Sequence, residues 1–522
     1  FTYAYHIKHN SSYTNFEGMN YPYGESYLYT DCHPLFANTF KFLSSSVPFF
    51  ETHSIGILNL LLILSIFFTF IITYLLLVEV KLNKWISVFF SISITLLAPQ
   101  IFRLGGHLAL SYSMAIPLSW LFVVKLFNKP SSRYFVLLFI NNLFWMLIHA
   151  YLGIVIISFV FSMFLVKMLS DKQKRHYLSS YIWLGIVIIA PIILFYFYTK
   201  LTDNHIGRTN NPSGFFLYNA ELDDILIPHE KPFRPLLNKL TDGIIKLKWE
   251  ARGYIGIVNT LFFITLLFIA LISCFRKSKR GLLKKVFDNK LLNISLAAAF
   301  IVLLFAFGIP FKQLPGLLEL FPVFKQFRAT GRFVWPFYFA FTIFAAYVYQ
   351  ENIIFKFNDR KRKNIGIAFL ILITTISCLE GFYYHNNMSK SISKSPNVFD
   401  RKFLHEDLKN SIDKINPDDY QAIISFPFYY QGSESYTRPR NDEAVRNTLI
   451  ISYHTGLPNV CANLTRTSIE ESKRIVQIVS PNYYEKKIVN DFTSNKPFLI
   501  VKTGDNFTQY ETAIIGKGKS IY

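Results

Sequence analysis

The 522-residue sequence predicts a polytopic α-helical membrane protein of about ten transmembrane helices, carrying a C-terminal extracytoplasmic α/β domain. Three observations predict it. Hydrophobic residues make up 52% of the chain and aromatic ones 17%, and the apolar residues come in long blocks instead of at the two- or about 3.6-residue spacing of soluble elements. Lys and Arg gather in every second connection between those blocks. Beyond Asn386 the texture becomes that of ordinary globular sequence.

Residues 1–52 read as an outward first loop, 53–385 as the transmembrane domain and 386–522 as the extracytoplasmic domain. The first residue is Phe1 rather than Met, and no span precedes the outward segment to carry it across, so a leading helix is expected ahead of it. The spans are Ile55–Val80, Trp85–Ile101, Leu108–Val124, Tyr134–Ile148, Tyr151–Val166, Tyr181–Tyr198, Ile255–Phe275, Leu291–Phe307, Phe333–Tyr349 and Ile365–Phe382. Each is apolar and nearly free of charge, and the longest suffice to cross roughly 30 Å of hydrocarbon as helices. The pair around His149 reads as a tight helical hairpin or a partly re-entrant one. In the C-terminal part, helices are predicted over Phe403–Ile415 and Thr467–Val479, and strands over Gln421–Phe426 and Phe498–Val501.

The net charge of +21 invites a nucleic-acid reading, but the placement of the basic residues removes it. They fall at Lys81 and Lys84, at Lys125, Lys129 and Arg133, at Lys167, Lys172, Lys174 and Arg175, from Arg276 to Lys290, and from Lys356 to Lys363. These alternate connections face the cytoplasm by the positive-inside bias, so the charge reports topology. The outward connections are then the first segment, Arg103 to His107, the His149 turn, a long loop over 199–254, the stretch from Gly308 to Arg332, and everything after Gly381. Abundant Asn, Lys, Ile and Phe suit a bacterial inner (plasma) membrane. The cysteines, Cys32, Cys274, Cys378 and Cys461, are too scattered for a disulfide scaffold or a zinc site, and unpaired thiols are expected.

Candidate chemistry lies on the outward side. Glu25 and Asp31 sit among aromatics in YPYGESYLYTDCHPL, where a carboxylate partly desolvated by Tyr23, Tyr27 and Tyr29 would act as general base; the same spacing suits a solvated acid capping the helix that enters at Pro34. Arg103 and His107 in RLGGHLALSY, His149 in LIHAYLG, and Lys325, Arg328 and Arg332 in FKQFRATGRFVWP are ionisable groups at span ends, costly unless partnered or wet. If the ninth span begins early, Arg328 and Arg332 share a helical face and clamp a phosphate, and the glycines before His107 let a ligand approach the backbone. In the long loop, Asp223, Asp224, His229 and Glu250 are available as metal ligands or substrate contacts, but no spacing specifies a metal, and a solvated surface is the expected role of the acidic pair. No Gly-rich phosphate loop, HExxH or GxSxG is present, which removes nucleotide-driven transport.

YTDCHPL resembles the acid-bearing first loop of the GT-C glycosyltransferases. RLGGHLALSY and FRATGRFVWPFY resemble recurring motifs of the YfhO-like bacterial membrane proteins related to them, and ELDDILIP with WEARGYIGI resembles that group's middle loop. The resemblance implies sugar transfer from a polyprenyl-phosphate donor to a glycan, lipid or protein acceptor at the outer face, with the lipid tail between helices. It implies Asp31 as the base and Arg328 and Arg332 on the departing lipid phosphate, completed by Arg103 and His107; Glu25, His149 and Glu250 are the other expected substrate contacts. No paired acidic DxD stands in the first loop, so a divalent metal stays open and no cofactor is assigned. Two other classes fit the same chain. A transporter or flippase of lipid-linked substrates would place polar, broken helices near mid-membrane, and a non-catalytic assembly protein would use the outward domain as its binding module.

Overall fold

The computed structural model describes residues 1–171, 178–275, 286–352, 360–504 and 506–516. The basic connections at Lys172, Lys174 and Arg175, from Arg276 to Lys285, and at Lys356 lie outside the described residues. The chain divides into two compact units: Asn59–Phe195 with Ser213–Ile392, and Phe1–Leu58 with Tyr196–Pro212 and Ser393–Tyr522.

Apolar helices occupy every stretch where a span is predicted. They are α1 (Ser54–Glu79), α2 (Lys84–Leu96), α3 (Ala115–Asn128), α4 (Ser132–Ile148), α5 (Ala150–Ser170), α6 (Leu178–Thr202), α7 (Ile257–Phe275), α8 (Lys290–Ala306), α9 (Trp335–Gln350) and α10 (Arg360–Lys394). Among the described residues, eight helical stretches are long and apolar enough to cross a membrane; α4 and α8 are apolar but shorter. The second stretch is not one continuous α-helix. It breaks after α2 and runs on as a 3-10 segment, Pro99–Gly105, because Pro99 removes an amide donor and disfavours helix in the residue before it. The hairpin at His149 is tight: α4 ends at Ile148, α5 starts at Ala150, and His149 Nδ1 accepts the Tyr151 amide at 3.1 Å to cap α5.

Packing separates central from peripheral helices. The stretch Thr330–Gln350, which contains α9, is 94% buried, whereas α7 is 11% buried and leaves Leu261, Phe268 and Leu271 more than half exposed. A row of large apolar side chains with no protein cover is what a lipid-facing helix presents. The helix α8 packs against α5 and α9, and Trp120 of α3 donates its indole N–H to Ser295 of α8 at 2.9 Å, so the polar atom of a wholly buried ring is satisfied inside the bundle.

The other unit joins the chain's two ends. In the C-terminal part, β1 (Ile423–Phe426) and β2 (Leu499–Lys502) pair in parallel, Ile423 opposite Leu499, and bury Ile423, Leu499 and Val501 against Leu408, Ile412 and Ile451. The predicted helices appear as Glu406–Asp413 and Ile469–Ile475, the latter continuing as a 3-10 turn to Val479. Residues 1–52 are not a separate loop, as the sequence suggests, but part of this unit. Asn459 donates its amide to the Gly18 carbonyl at 3.2 Å and accepts from the Tyr21 amide at 3.1 Å, and Tyr5 donates its hydroxyl to Gly456 at 2.7 Å. Backbone pairing over a long sequence separation carries no hydropathy signal. All four cysteines are free, with Cys32 and Cys461 buried.

Candidate functional site

Glu250 is the centre on which Arg103, His107 and Arg332 of the helical unit converge. Its Oε2 accepts from Arg103 Nη1 at 3.1 Å and from Arg332 Nε at 2.7 Å, and its Oε1 lies 3.9 Å from His107 Nε2. Arg103 is wholly buried; its Nη2 donates to the carbonyls of Trp249 and Glu250 at 3.2 and 3.0 Å, and its guanidinium lies 4.1 Å from the Trp249 ring centroid. Arg332 lies 4.8 Å from the Tyr151 ring centroid, and its two terminal nitrogens hydrogen-bond to no described residue. Burial alone would raise the Glu250 carboxyl, but the Arg332 and Arg103 guanidinium groups and the hydrogen bond from Arg332 hold it below its ordinary value, so it is a carboxylate. Two buried cations against one anion leave the cluster positive and suited to a further anion.

Two glycines bring these residues together. A Cβ on Gly331 would stand 2.7 Å from both the Ala251 Cβ and the Tyr218 carbonyl oxygen, and one on Gly253 would stand 1.8 Å from Val334 Cγ2. The WEARG and ATGRF segments therefore lie backbone against backbone, a separation only glycine permits, and that contact sets Glu250 beside Arg332. The Gly331 amide also donates to the Tyr218 carbonyl at 2.9 Å.

The acid expected to be a solvated surface group in the long loop has a different task. Asp223 is exposed, but Asp224 is buried; its Oδ1 accepts the Lys248 amide and its Oδ2 the Glu221 amide, both at 2.9 Å, while its carbonyl takes the Gly253 amide and His229 Nε2. Asp224 thus braces the loop that carries Glu250. Burial lowers the His229 pKa to about 3, so that imidazole is neutral and structural. Among the described residues, no group of three or more His, Cys, Asp or Glu could hold a metal ion.

Residues 7–373 match the family described as a domain of unknown function, DUF6311. The chain belongs to this family. No curated protein and no solved structure matches it. The DUF6311 region contains Asp31 and every member of the Glu250 cluster, while β1, β2 and the helices around them lie beyond it.

Two expectations need correction. Arg328 and Arg332 do not share a helical face: residues 327 and 329 are non-helical, a 3-10 turn covers Thr330–Val334, and α9 begins only at Trp335. Arg328 Nε is turned to the Ser213 carbonyl at 3.2 Å. Of the two glycines before His107, both exposed, a Cβ on Gly106 would stand 3.1 Å from the Trp249 ring, while one on Gly105 would meet only the tip of Met388 at 3.6 Å. Asp31 is not desolvated by tyrosines. It is exposed at a positive φ of 53°, Tyr27 turns its hydroxyl to the Cys32 carbonyl, Tyr29 lies under Arg208, and Tyr23 bonds Asp491. Nor does Asp31 cap the following helix, whose N-cap position is His33.

Glu25 belongs with Asp31 to the other compact unit and is wholly buried. Its Oε1 takes Arg208 Nη2 at 2.5 Å and the Ser26 amide at 2.8 Å; Arg208 also grips Asp203 through Nε and Nη2 at 2.8 and 2.7 Å. That network ties residues 203–208 to the first segment, with Glu25 buried inside it. His149 is the cap of α5. Sequence reasoning missed Trp249, Tyr151 and Arg208; the first two follow Lys248 and Ala150 in motifs already of interest, and nothing local marks Arg208.

An apolar cleft of about 290 Å³ between α2 and α10, lined by Trp85, Phe89, Ile367 and Ile371, holds none of these residues.

Proposed function

We propose that the chain is a membrane glycosyltransferase of the GT-C type, moving a sugar from a polyprenyl-phosphate-linked donor to a glycan, lipid or protein of the cell envelope. The observation that carries this reading is Arg332. Its Nε is engaged by Glu250 while its terminal nitrogens bond no described residue, at the head of a helical stretch apolar enough to cross a membrane. A guanidinium anchored in this way presents a fork of N–H donors matched to phosphate oxygens, and the membrane level suits a phosphate whose tail is hydrocarbon.

In this reaction the acceptor hydroxyl oxygen bonds to the anomeric carbon, the bond from that carbon to the phosphate oxygen breaks, and the electron pair stays on the departing polyprenyl phosphate. Negative charge grows on that oxygen in the transition state, so Arg332, with Arg103 behind it, lowers the barrier and not merely the donor's dissociation constant. The hydroxyl proton goes to a carboxylate. Of the two candidate acids among the aromatics of the first segment, Glu25 is buried against Arg208 whereas Asp31 is exposed, and Asp31 is the base in this reading. The basic connections face the cytoplasm, and the first segment and the residues after Gly381 face outward from a bacterial inner membrane.

The test uses the purified chain in nanodiscs with a panel of polyprenyl-phosphate sugars, reading released polyprenyl phosphate and, separately, retention of the lipid phosphate. Asp31→Asn should abolish release and keep retention; Arg332→Lys should lose both. Release unchanged in Asp31→Asn, or retention unchanged in Arg332→Lys, would sink the assignment.

A further inference from the structure

Residues 231–248 form a braced hairpin in the connection before α7. The helix Phe233–Leu240 has no buried residue, and Leu236 and Leu240, one turn apart on its outer face, are 60% and 75% exposed. Ile244, 78% exposed, extends the apolar patch beyond a turn in which Asp242 and Gly243 both have positive φ. The Thr241 amide closes the helix on the Leu237 carbonyl at 3.0 Å, and Arg234 Nη2 donates to the Ile245 carbonyl at 2.7 Å, tying the return segment to the helix. The three aliphatic side chains therefore belong to one held element and are left uncovered together, an arrangement water disfavours. The same stretch carries five basic residues against the single acid Asp242, with Lys239 and Lys246 exposed beside the patch. The chain then runs through Trp249 into α7, which is 11% buried and leaves Leu261, Phe268 and Leu271 exposed.

We propose that this hairpin lies in the head-group layer of the bilayer that the helical unit crosses, its aliphatic side chains among the outermost methylenes and its lysines on the phosphates of anionic phospholipids. An apolar patch edged by cations on a short amphipathic helix is the pattern that binds such a surface, and the net positive charge selects anionic over neutral head groups. The inference stands apart from the sugar-transfer reading. Its consequence is that the loop bearing Glu250 is held at one edge by lipid.

The test places a genetically encoded fluorescent amino acid at position 240 or 244 of the full chain in nanodiscs, with a control probe at Tyr483, which is 81% exposed. Quenching is read with aqueous iodide and with phospholipid bearing a head-group nitroxide, in phosphatidylcholine discs with and without phosphatidylglycerol. The expected result is strong nitroxide quenching and weak iodide quenching at 240 and 244, deepened by phosphatidylglycerol and shifted toward iodide by Lys239→Glu with Lys246→Glu. Iodide quenching equal to the control site, protection from both quenchers, or indifference to phosphatidylglycerol would each overturn the proposal. No sugar donor enters the measurement, so its failure and the failure of the transferase reading are separate events.

Discussion

Replacing Glu250 with glutamine removes one negative charge from between two guanidinium groups and leaves the side-chain shape nearly unchanged. In the native protein a single oxygen serves Arg103 Nη1 and Arg332 Nε, and those arginine side chains are 1% and 10% exposed. Glutamine keeps a neutral acceptor there, while its amide N–H₂ turns toward His107 in place of Oε1. Stranding a buried ion by deleting its partner costs about 3–5 kcal/mol, and a retained neutral hydrogen bond returns about 1, so the expected loss is about 2–4 kcal/mol. Thermal unfolding of native and Glu250→Gln protein in the same detergent measures it. On an Arg103→Met background the same change strands one cation instead of two, so its cost should shrink, giving a coupling of about 1 kcal/mol or more in the double-mutant cycle. The pH dependence supplies a second arm. Because the folded carboxyl is held below its ordinary 4.5, its contribution is complete above that pH and is lost as pH falls through the lower folded value; Glu250→Gln should lose no stability from this source. Equal unfolding temperatures for native and Glu250→Gln protein at pH 7, with strictly additive single changes, would refute the reasoning.

Further outcomes follow from the same geometry. Gly331→Ala should destabilise by about 1–3 kcal/mol, since its Cβ meets backbone at Ala251 and Tyr218, whereas Gly185→Ala, with nothing within 4 Å, should be neutral or better in the same unfolding assay. Asp224→Asn should cost about 1–3 kcal/mol, because an amide cannot accept from both the Lys248 and Glu221 N–H groups; proteolysis near residue 248 should rise. Arg208→Met leaves Glu25 as an unpaired buried carboxylate and should cost about 3–5 kcal/mol, partly recovered by adding Glu25→Gln, with hydrogen exchange over 15–30 as the readout. His229, neutral in the fold because burial takes its pKa to about 3, weakens the protein as pH falls from 6.5 toward that value, since the unfolded chain binds the proton first; His229→Gln should flatten that part of the pH–stability profile.

The helices were the legible part, because a bilayer demands long apolar runs and such runs are visible residue by residue. The break after α2 was not, although Pro99 marks it, since a hydropathy block does not distinguish one helix from a helix followed by a 3-10 segment. Arg103, His107 and Arg332 could each be picked out as ionisable groups at span ends, and Glu250 as an acid of the long loop. Their mutual pairing could not, because ion pairs between residues more than eighty positions apart leave no periodicity. The expected Arg328–Arg332 clamp failed on a local point: four-residue spacing aligns side chains only within a helix, and helix begins beyond both residues. Glu25 and Asp31 looked alike in sequence, yet a distant Arg208 takes one into the core and leaves the other exposed.

The Glu250 cluster is therefore better understood as a consequence of backbone contact than as its cause. An ion pair holding two long side chains on separate loops would have to offset the loss of their rotamer freedom and of their hydration, and a buried pair seldom does so with much to spare. Here the loops are already brought together by contacts that owe nothing to charge: Gly331 against Ala251, Gly253 against Val334, and the Gly331 amide on the Tyr218 carbonyl. Rigid backbone delivers the charges, so they need not assemble the site, and the cations can keep unused donors. Arg332 shows this directly, with one nitrogen on Glu250 and two that bond no described residue. On this argument, neutralising Arg332 should cost less stability than Gly331→Ala while removing more anion binding. The reverse order would mean that the ion pair holds the loops, and that the surplus positive charge is structural.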